Sequence, residues 1–308
     1  MGRIVKHLKN NYKIIIGIII GAVISGCGVY AATVIAAASV TYSDNTSLGA
    51  TNVQDAIDKL NTKATTKIAE AKKECPDGYV CRINQFATDS WSTIAANVKA
   101  GKASAYQVGD TKTVDMGSLG THTVRVANTS SCTNGETSQT ACGFVVEFVD
   151  IVSPQKMNST ATNVGGWPAS AMRTYVNTTV YNALPSDLQN AIATTTVVSS
   201  HGKTSGEANF TSNDKLYLLS TKEVWNGGTG YDTAEAETRQ LDYYKNKGVT
   251  TSNYSGAIKQ YNGTNSNWWL RSARSTNTRS FFNGSYIGGW IANTAIDTSG
   301  VAPAFRIA

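Results

Sequence analysis

The chain has 308 residues, of which 16% are charged, and its formal net charge is +6. This charged fraction lies below the roughly 25% of an ordinary soluble domain. Residues 1–74 hold nine of the 27 Lys and Arg residues but only five of the 21 acids, so the rest of the chain is nearly neutral. The charge therefore gives no argument for a nucleic-acid partner. The abundant Ser, Thr, Asn and Gly residues favour an extracellular β-rich domain over a cytosolic helical enzyme.

The first 40 residues have the pattern of a membrane or export segment. Residues 1–13 contain four Lys or Arg residues and no acid, and residues 14–40 form an apolar run. About 20 apolar residues can span a bilayer, and the basic flank would stay in the cytoplasm. Three outcomes remain open: an uncleaved signal-anchor, a cleaved signal peptide, and lipidation of Cys27 in a sequence similar to a bacterial lipobox. We expect a single-pass protein of the cell membrane with an extracellular C-terminal domain, or else a secreted protein or lipoprotein.

Residues 41–74 are predicted to form a helical stalk. Thr51-Asn52-Val53-Gln54 has the pattern of a capping box, which starts a helix. Apolar residues then recur at spacings of three and four, as on one helix face: Val53, Ile57, Leu60, Ala64, Ile68 and Ala71. Two interpretations remain open: residues 52–73 join copies of the chain into a homo-oligomer, or they pack on the domain that follows.

Four cysteines follow the apolar run: Cys75, Cys81, Cys132 and Cys142. An even number in an exported chain favours two disulfides, and pairing 75 with 81 and 132 with 142 is the simplest arrangement. The sequence alone leaves three connectivities open. Paired Cys-x-x-Cys spacing and neighbouring histidines are absent, so we predict no metal site and no cofactor.

From Cys75 to Ala308 the pattern predicts a mixed α+β domain. Helices are expected at Trp91–Ala100, from Pro168 to Leu184, from Pro185 onward, at Ser220–Trp225 and at Ala234–Lys247. Strands are expected at Thr111–Met116, His122–Ala127, Phe144–Val152, Thr194–Ser199 and Lys215–Leu219, with short aromatic strands from Trp268 onward.

Nearly the whole chain resembles a family of surface proteins of Gram-positive bacteria that carry a domain of unknown function. The motif Trp268-Trp269-Leu270-Arg271-Ser272 is the most specific part of the resemblance. Further matching segments are Ala50–Ile57, Ser90–Ile94, Val108–Asp110, Gly165–Arg173, Lys215–Ser220 and Gly300–Arg306. The resemblance implies a C-type-lectin-like fold for residues 75–308, as also found in formylglycine-generating enzymes. Ala302 departs from the family, whose members often carry an arginine there.

The sequence lacks the motifs of the activities found on that fold. The tripeptides of calcium-dependent sugar binding, Glu-Pro-Asn or Gln-Pro-Asp with Trp-Asn-Asp, do not occur, and no cysteine follows Cys142 to generate formylglycine. His122 and His201 are the histidines of the domain, and no Gly-x-Ser-x-Gly elbow accompanies them. We therefore predict no enzyme activity and no catalytic residue, with a cell-wall or glycan hydrolase as a further alternative.

The stretch from Arg274 to Ser299 remains as a candidate recognition surface, because Tyr, Trp, Asn, Ser and Gly build adaptable binding surfaces. The candidate ligand-binding residues are Asn277, Arg279, Asn283, Tyr286, Trp290, Asn293 and Asp297. A structural clamp is predicted from Trp268, Trp269, Leu270, Arg271, Pro303 and Phe305. The predicted function is that of an adhesin that binds a glycan or a surface protein. The alternative is a structural envelope protein that assembles through residues 52–73.

Overall fold

A computed structural model of the protein describes residues 49–73, 84–203 and 207–308. The chain divides into two compact units, with the boundary between Ile83 and Asn84. Within the described residues, no helix combines the length and the apolar character needed to cross a bilayer. The predicted membrane segment at residues 14–40, with Cys27, lies outside the described residues, and so do residues 1–13.

In the first unit the structure describes residues 49–73, which include the helix α1 (Val53–Lys73). The side chain of Asn52 caps it by accepting a hydrogen bond from the backbone N–H of Asp55 at 2.9 Å. The Asp55 carboxylate in turn accepts the N–H of Thr51 at 2.9 Å. The capping box predicted for Thr51 and Gln54 is therefore wrong by one residue, since asparagine is at least as good an N-cap as threonine. Leu60, on the predicted apolar stripe, is 53% exposed.

The second unit is mixed α+β, as predicted. Its helices are short, and Ser90 caps the longest of them by accepting the N–H of Thr93 at 3.1 Å. The helices are α2 (Gln85–Thr88), α3 (Trp91–Lys99), α4 (Gly166–Ala169), α5 (Ala171–Tyr175), α6 (Tyr181–Ala183), α7 (Ser186–Ala191), α8 (Thr221–Val224) and α9 (Asp242–Asn246). A π-helical turn, Val176–Val180, joins α5 to α6. Short 3-10 turns lie at Ala103–Ala105, Gly117–Leu119, Gln139–Ala141, Glu235–Glu237 and Ser255–Ala257.

Two five-stranded sheets form the frame of the unit. The N-terminal sheet has the order β1-β2-β3-β14-β5, and the C-terminal sheet has the order β12-β11-β10-β13-β4. Two hairpins, β6–β7 and β8–β9, lie outside them. The strands are β1 (Thr111–Asp115), β2 (Thr121–Asn128), β3 (Phe144–Phe148), β4 (Ser153–Lys156), β5 (Ile192–Ala193), β6 (Thr195–Ser199), β7 (Phe210–Asp214), β8 (Lys259–Tyr261), β9 (Thr264–Ser266), β10 (Trp268–Ala273), β11 (Ser280–Gly284), β12 (Trp290–Thr294), β13 (Thr298–Val301) and β14 (Ala304–Ile307).

The last strands connect the two sheets, because β13 belongs to the C-terminal sheet and β14 to the N-terminal one. Trp268 and Trp269 lie on β10, beside β13, and both are fully buried. Neighbouring side chains on a strand point to opposite faces. The Trp268 indole N–H accordingly donates to Ala257 O at 3.2 Å, and that of Trp269 donates to Gln155 O at 2.8 Å. The other residues of the predicted clamp, Leu270, Arg271, Pro303 and Phe305, are also buried.

Three predicted elements are wrong, and hydrogen bonds explain each. The helix predicted from Pro168 to Leu184 is interrupted at Ser170, whose extended backbone ends α4 and whose side chain caps α5 by accepting the N–H of Arg173 at 3.1 Å. Lys215–Leu219 makes one isolated bridge, Tyr217 to Ala304, because the Asn177 side chain takes the N–H groups of Lys215 and Leu216 at 3.0 Å. The helix predicted at Ala234–Lys247 is broken into the 3-10 turn at Glu235–Glu237 and α9. Thr238, extended at φ −145°, separates the two and donates its hydroxyl to buried Glu223 at 2.9 Å.

Candidate functional site

The predicted binding residues lie at opposite ends of the C-terminal sheet. Strand β11 pairs with β12 from Ser280 and Thr294 at one end to Gly284 and Trp290 at the other. A five-residue strand extends over roughly 13 Å. The first end carries Asn277 and Arg279 in the turn before β11, Asn293 on β12 and Asp297 in the turn after β12. The turn at the second end carries Tyr286 and leads into Trp290. The structure therefore does not bring the seven residues together.

Three of these side chains are placed in ways that limit their contact with a ligand. Asn277 accepts the N–H groups of Arg279 and Ser280 at 2.9 Å, and so it closes its own turn. Asp297 closes the next turn by accepting the N–H of Thr294 at 3.0 Å. Asn283 is fully buried on β11, and its amide has no partner among the described residues. Asn283 thus lies beneath the surface rather than on it.

An open cavity of about 400 Å³ lies at the second end of the sheet. We call it the Tyr286 pocket. It is formed by the turn after β11, the hairpin β8–β9 and the edge formed by β13 and β4. Its lining residues are Ile151, Pro154, Tyr261, Asn265, Ser266, Asn267, Tyr286, Thr298, Ser299 and Gly300. Tyr286 is the one predicted ligand-binding residue among them.

The turn that carries Tyr286 is held firmly from below. The backbone N–H of Tyr286 donates to the side-chain oxygen of Asn267 at 2.9 Å. Gly288 has φ 92°, and a Cβ at this position would lie 2.2 Å from Tyr254 O, so the position requires glycine. The Gly288 carbonyl accepts the indole N–H of Trp225 at 3.1 Å. These contacts leave the tip exposed, with Tyr286 at 59% and Ile287 at 50%.

The lining of the Tyr286 pocket is uncharged and combines polar with apolar groups. Tyr261 and Tyr286 supply aromatic rings, while amide and hydroxyl groups supply hydrogen-bond donors and acceptors. The hydroxyl of Ser299, a buried lining residue, has no partner among the described residues. Such a surface offers hydrogen bonds and ring contacts without the desolvation cost of an ionised group. It therefore suits an uncharged polar ligand better than an ionic one.

A buried ion pair supports β10 from within the domain. The guanidinium of Arg271 donates from Nη1 and Nη2 to the two carboxylate oxygens of Glu223, each at 2.6 Å, and also to Leu218 O at 2.8 Å. Burial would raise the pKa of Glu223, but the charge of Arg271 and the hydrogen bonds that the carboxylate accepts together outweigh it and hold this pKa below its usual value. Neither side chain is exposed, so this pair positions β10 rather than meeting a ligand.

A second buried cluster centres on Glu147 in β3. Its carboxylate accepts from Arg125 Nε at 2.9 Å, from Lys259 Nζ at 3.0 Å and from the Tyr244 hydroxyl at 2.8 Å. Burial, opposed only in part by Glu147, lowers the pKa of Lys259 to about 8. Lys259 also donates to Phe148 O at 2.6 Å. The members of this cluster lie far apart in the chain, so no local sequence pattern indicates it.

Two groups suited to acid–base chemistry, His122 and Asp232, already have hydrogen-bond partners within the domain. His122 lies 2.8 Å from Leu119 O. Asp232, whose pKa is raised by burial, accepts from the hydroxyls of Thr221 and Ser272. Ser272 is 1% exposed, so a substrate does not reach it as the structure stands. In the described part of the chain, no three or more His, Cys, Asp or Glu side chains are grouped to hold a metal ion.

The predicted disulfide between Cys132 and Cys142 is confirmed, with their Cα atoms 4.9 Å apart. It closes a loop of ten residues between β2 and β3. A second open cavity, of about 770 Å³, lies nearby and includes Ser131 and Gly143 in its lining. The predicted pairing of Cys75 with Cys81 and the predicted lipidation of Cys27 lie outside the described residues.

The comparisons with known proteins identify a domain but not an activity. No curated protein and no solved structure matches the chain. The family model described as "Domain of unknown function (DUF6273)" matches residues 145–308. These residues include strands β4 and β13 of the C-terminal sheet and all the lining residues of the Tyr286 pocket. Because this match covers more than half of the 308 residues, the protein belongs to the DUF6273 domain family.

Proposed function

We propose that the protein is a membrane-anchored surface protein of a Gram-positive bacterium and that its C-terminal domain binds an extracellular ligand. The apolar run at residues 14–40 behind a basic flank supports the anchor. The disulfide between Cys132 and Cys142 supports an oxidising compartment outside the cytoplasm. The motif resemblance described above supports the bacterial origin and a C-type-lectin-like fold for the domain.

The Tyr286 pocket carries the proposal that this domain binds a ligand. Its exposed tyrosine stands on a rigid turn above an uncharged lining of polar and apolar groups. A tyrosine ring covers a large ligand area and has few rotatable bonds to immobilise, which makes it an effective binding anchor. A neutral glycan offers both the apolar ring faces and the hydroxyl groups that this lining matches. We therefore take a neutral glycan as the first ligand class to test.

The test is a neutral-glycan array probed with the full chain in nanodiscs, followed by affinity measurement on the best ligand. Tyr286→Ala should weaken binding at least about tenfold, the scale of a hot-spot residue. Ile287→Ala is the matched control, because Ile287 is 50% exposed in the same turn but does not line the pocket. Equal binding by wild type and Tyr286→Ala, or no neutral glycan bound at all, would contradict the proposal.

A second candidate function, assembly into a surface oligomer through α1, is favoured by one observation. Leu60 is 53% exposed in the middle of the predicted apolar stripe. An exposed leucine on a helical stripe can be covered by a second copy of the same helix. Sedimentation of the full chain in detergent should then show an oligomer that Leu60→Glu dissociates and Thr62→Glu, also exposed, does not. A wild-type monomer at high concentration would rule this function out.

A further inference from the structure

The side chains of His201 and Arg274 each have a nitrogen without a partner among the described residues. They follow Ser200 and Ala273, where two segments of the chain meet beside the C-terminal sheet. The Ser200 hydroxyl accepts the N–H of Ala273 at 2.7 Å and donates to Ala273 O at 3.0 Å. The next residues along the two segments are His201 and Arg274. The Asn163 side chain links them further, because its Nδ2 donates to Arg274 O at 3.1 Å while a Cβ on Gly202 would lie 3.0 Å from it.

Both side chains have buried nitrogens that lack partners among the described residues. They are Nε of Arg274 and Nδ1 of His201. A buried donor without an acceptor costs about 1–3 kcal/mol, and more when the group is charged. The cost falls when a ligand supplies the acceptor, so Nε of Arg274, and Nδ1 of His201 when it carries the proton, indicate where an acceptor fits.

Two acids that follow Tyr231 in the chain, Asp232 and Glu235, are already engaged. Asp232 accepts from Thr221 Oγ1 at 2.9 Å and from the Ala234 N–H at 2.9 Å. Glu235 accepts from Thr229 Oγ1 at 3.0 Å. Neither carboxylate forms an ion pair with Arg274 in the described structure. Within residues 84–203 and 207–308, Arg274 therefore has no carboxylate partner, and its Nε has no acceptor.

Aromatic rings also lie close to Arg274. Its Cζ is 5.5 Å from the centre of the Tyr231 ring. That ring meets Trp290 edge to face at 6.3 Å, and Trp290 rests in turn on Phe282 at 5.8 Å. The backbone of Tyr231 is fixed because its carbonyl accepts the N–H of Ser275 at 2.9 Å. Tyr231 is 40% exposed, so its ring is available to a ligand.

We propose that Arg274 and His201 bind the carboxylate of a ligand whose ring packs on Tyr231 and Trp290. The planar guanidinium fork matches the two oxygens of a carboxylate, and the aromatic faces match an apolar ring beside it. This site goes beyond the function proposed above, because it selects an anionic group and shares no lining residue with the uncharged Tyr286 pocket.

The test compares phenylacetate with phenylacetamide, which have the same ring and differ in the charge of the acceptor group. Binding to the full chain in nanodiscs is measured by saturation-transfer NMR, with empty nanodiscs as the blank. Phenylacetate should bind at least tenfold more tightly than the amide. Arg274→Gln should weaken phenylacetate at least tenfold and His201→Gln several-fold. Arg279→Gln, which removes the same charge from an exposed arginine, should have no effect.

Further variants separate this site from the Tyr286 pocket and from misfolding. Tyr286→Ala should leave phenylacetate binding unchanged, so the two proposals fail independently. Equal binding of the amide, unchanged binding by Arg274→Gln, or an equal loss in Arg279→Gln would overturn the proposal. Thermal unfolding checks each variant. If Arg274→Gln does not fold, His201→Gln and Tyr231→Leu replace it, and unchanged binding by both would also overturn the proposal.

Discussion

Arg271 and Glu223 form a two-point ion pair inside the domain, with Nη1 and Nη2 of Arg271 each 2.6 Å from a carboxylate oxygen. Glu223 also caps α8 in a reciprocal pair with Ser220. The Glu223 carboxylate accepts the backbone N–H of Ser220 at 2.9 Å, and the Ser220 hydroxyl accepts the backbone N–H of Glu223. One carboxylate thus fixes the start of a helix to β10, the strand that carries the paired tryptophans. The arginine of the most specific sequence motif is therefore explained by packing rather than by ligand contact.

Replacing Glu223 with glutamine should destabilise the domain strongly. The change keeps the shape of the side chain but leaves the Arg271 charge buried without a counter-ion, which costs about 3–5 kcal/mol. Urea unfolding, monitored by tryptophan fluorescence, gives the free energy of unfolding. Glu207→Gln is the matched control, since Glu207 is exposed. A loss below about 1 kcal/mol, the scale of an exposed pair, would show that the ion pair is not maintained in solution.

Local sequence signals predicted much of this fold. The helix predicted at Trp91–Ala100 corresponds to α3 to within a residue. Alternating or β-branched runs located β1, β2 and β6. The spacing of Cys132 and Cys142, with turn residues between them, suggested the disulfide that the structure has. In each case the signal lies within about ten residues of the element it predicts.

The features that the sequence did not predict depend on distant partners. Arg271 and Glu223 are 48 residues apart, and Lys259 and Glu147 are 112 apart. The Tyr286 pocket collects its lining from Ile151 to Gly300, so no single stretch contains it. The candidate binding residues were chosen as one continuous stretch, and a strand that crosses a sheet necessarily places its two flanking turns at opposite ends.

The stability of the domain should rise with pH between about 8 and 10 because of Lys259. Its folded-state pKa is lowered to about 8, chiefly by burial. In the unfolded chain its pKa is about 10.4. Within this window the unfolded state binds the proton that the folded state has released, so the free energy of unfolding increases by up to about 1 kcal/mol per pH unit. Above that window the trend should reverse, because burial raises the pKa of Tyr244 well above its ordinary value.

Lysine substitutions isolate this effect. Lys259→Met should abolish the rise between pH 8 and 10, while Lys156→Met, which removes an exposed lysine, should keep it. The free energy of unfolding in urea is measured at half-unit steps of pH from 7 to 10. The wild-type value at each pH is then subtracted from the value of each variant. The same rise in Lys259→Met as in the wild type would assign the effect to other groups.

Removal of the disulfide should lower stability without changing the fold. The bond between Cys132 and Cys142 closes a loop of ten residues, and a loop of this size contributes roughly 2–3 kcal/mol in the chain-entropy description. The double variant Cys132→Ala/Cys142→Ala should lose that amount in urea unfolding, while its far-ultraviolet circular dichroism stays the same. Reductant should destabilise the wild type by more than the double variant. An equal effect of reductant on both proteins would show that this bond is not formed.

The conformation of the turn that presents Tyr286 should require glycine at position 288, because the turn has no room for a Cβ atom there. Alanine there would meet Tyr254 O at 2.2 Å, in addition to the strain of φ 92°. Gly263, at φ 77° in the turn between β8 and β9, has no atom within 4 Å of the same Cβ position, so Gly263→Ala suffers the backbone strain alone. Overpacking costs about 1–3 kcal/mol, and Gly288→Ala should therefore lose at least about 1 kcal/mol more than Gly263→Ala.

The two glycine variants also test whether the rigidity of this turn matters for ligand binding. Relief of the clash in Gly288→Ala requires the turn to move away from Tyr254, which carries Tyr286 away from Asn267 and widens the Tyr286 pocket. Affinity for the ligand found by the glycan array should then fall in Gly288→Ala even under conditions where the variant is fully folded. Gly263→Ala should keep wild-type affinity. If both variants bind as tightly as the wild type, the turn at Tyr286 contributes to the stability of the domain and not to recognition.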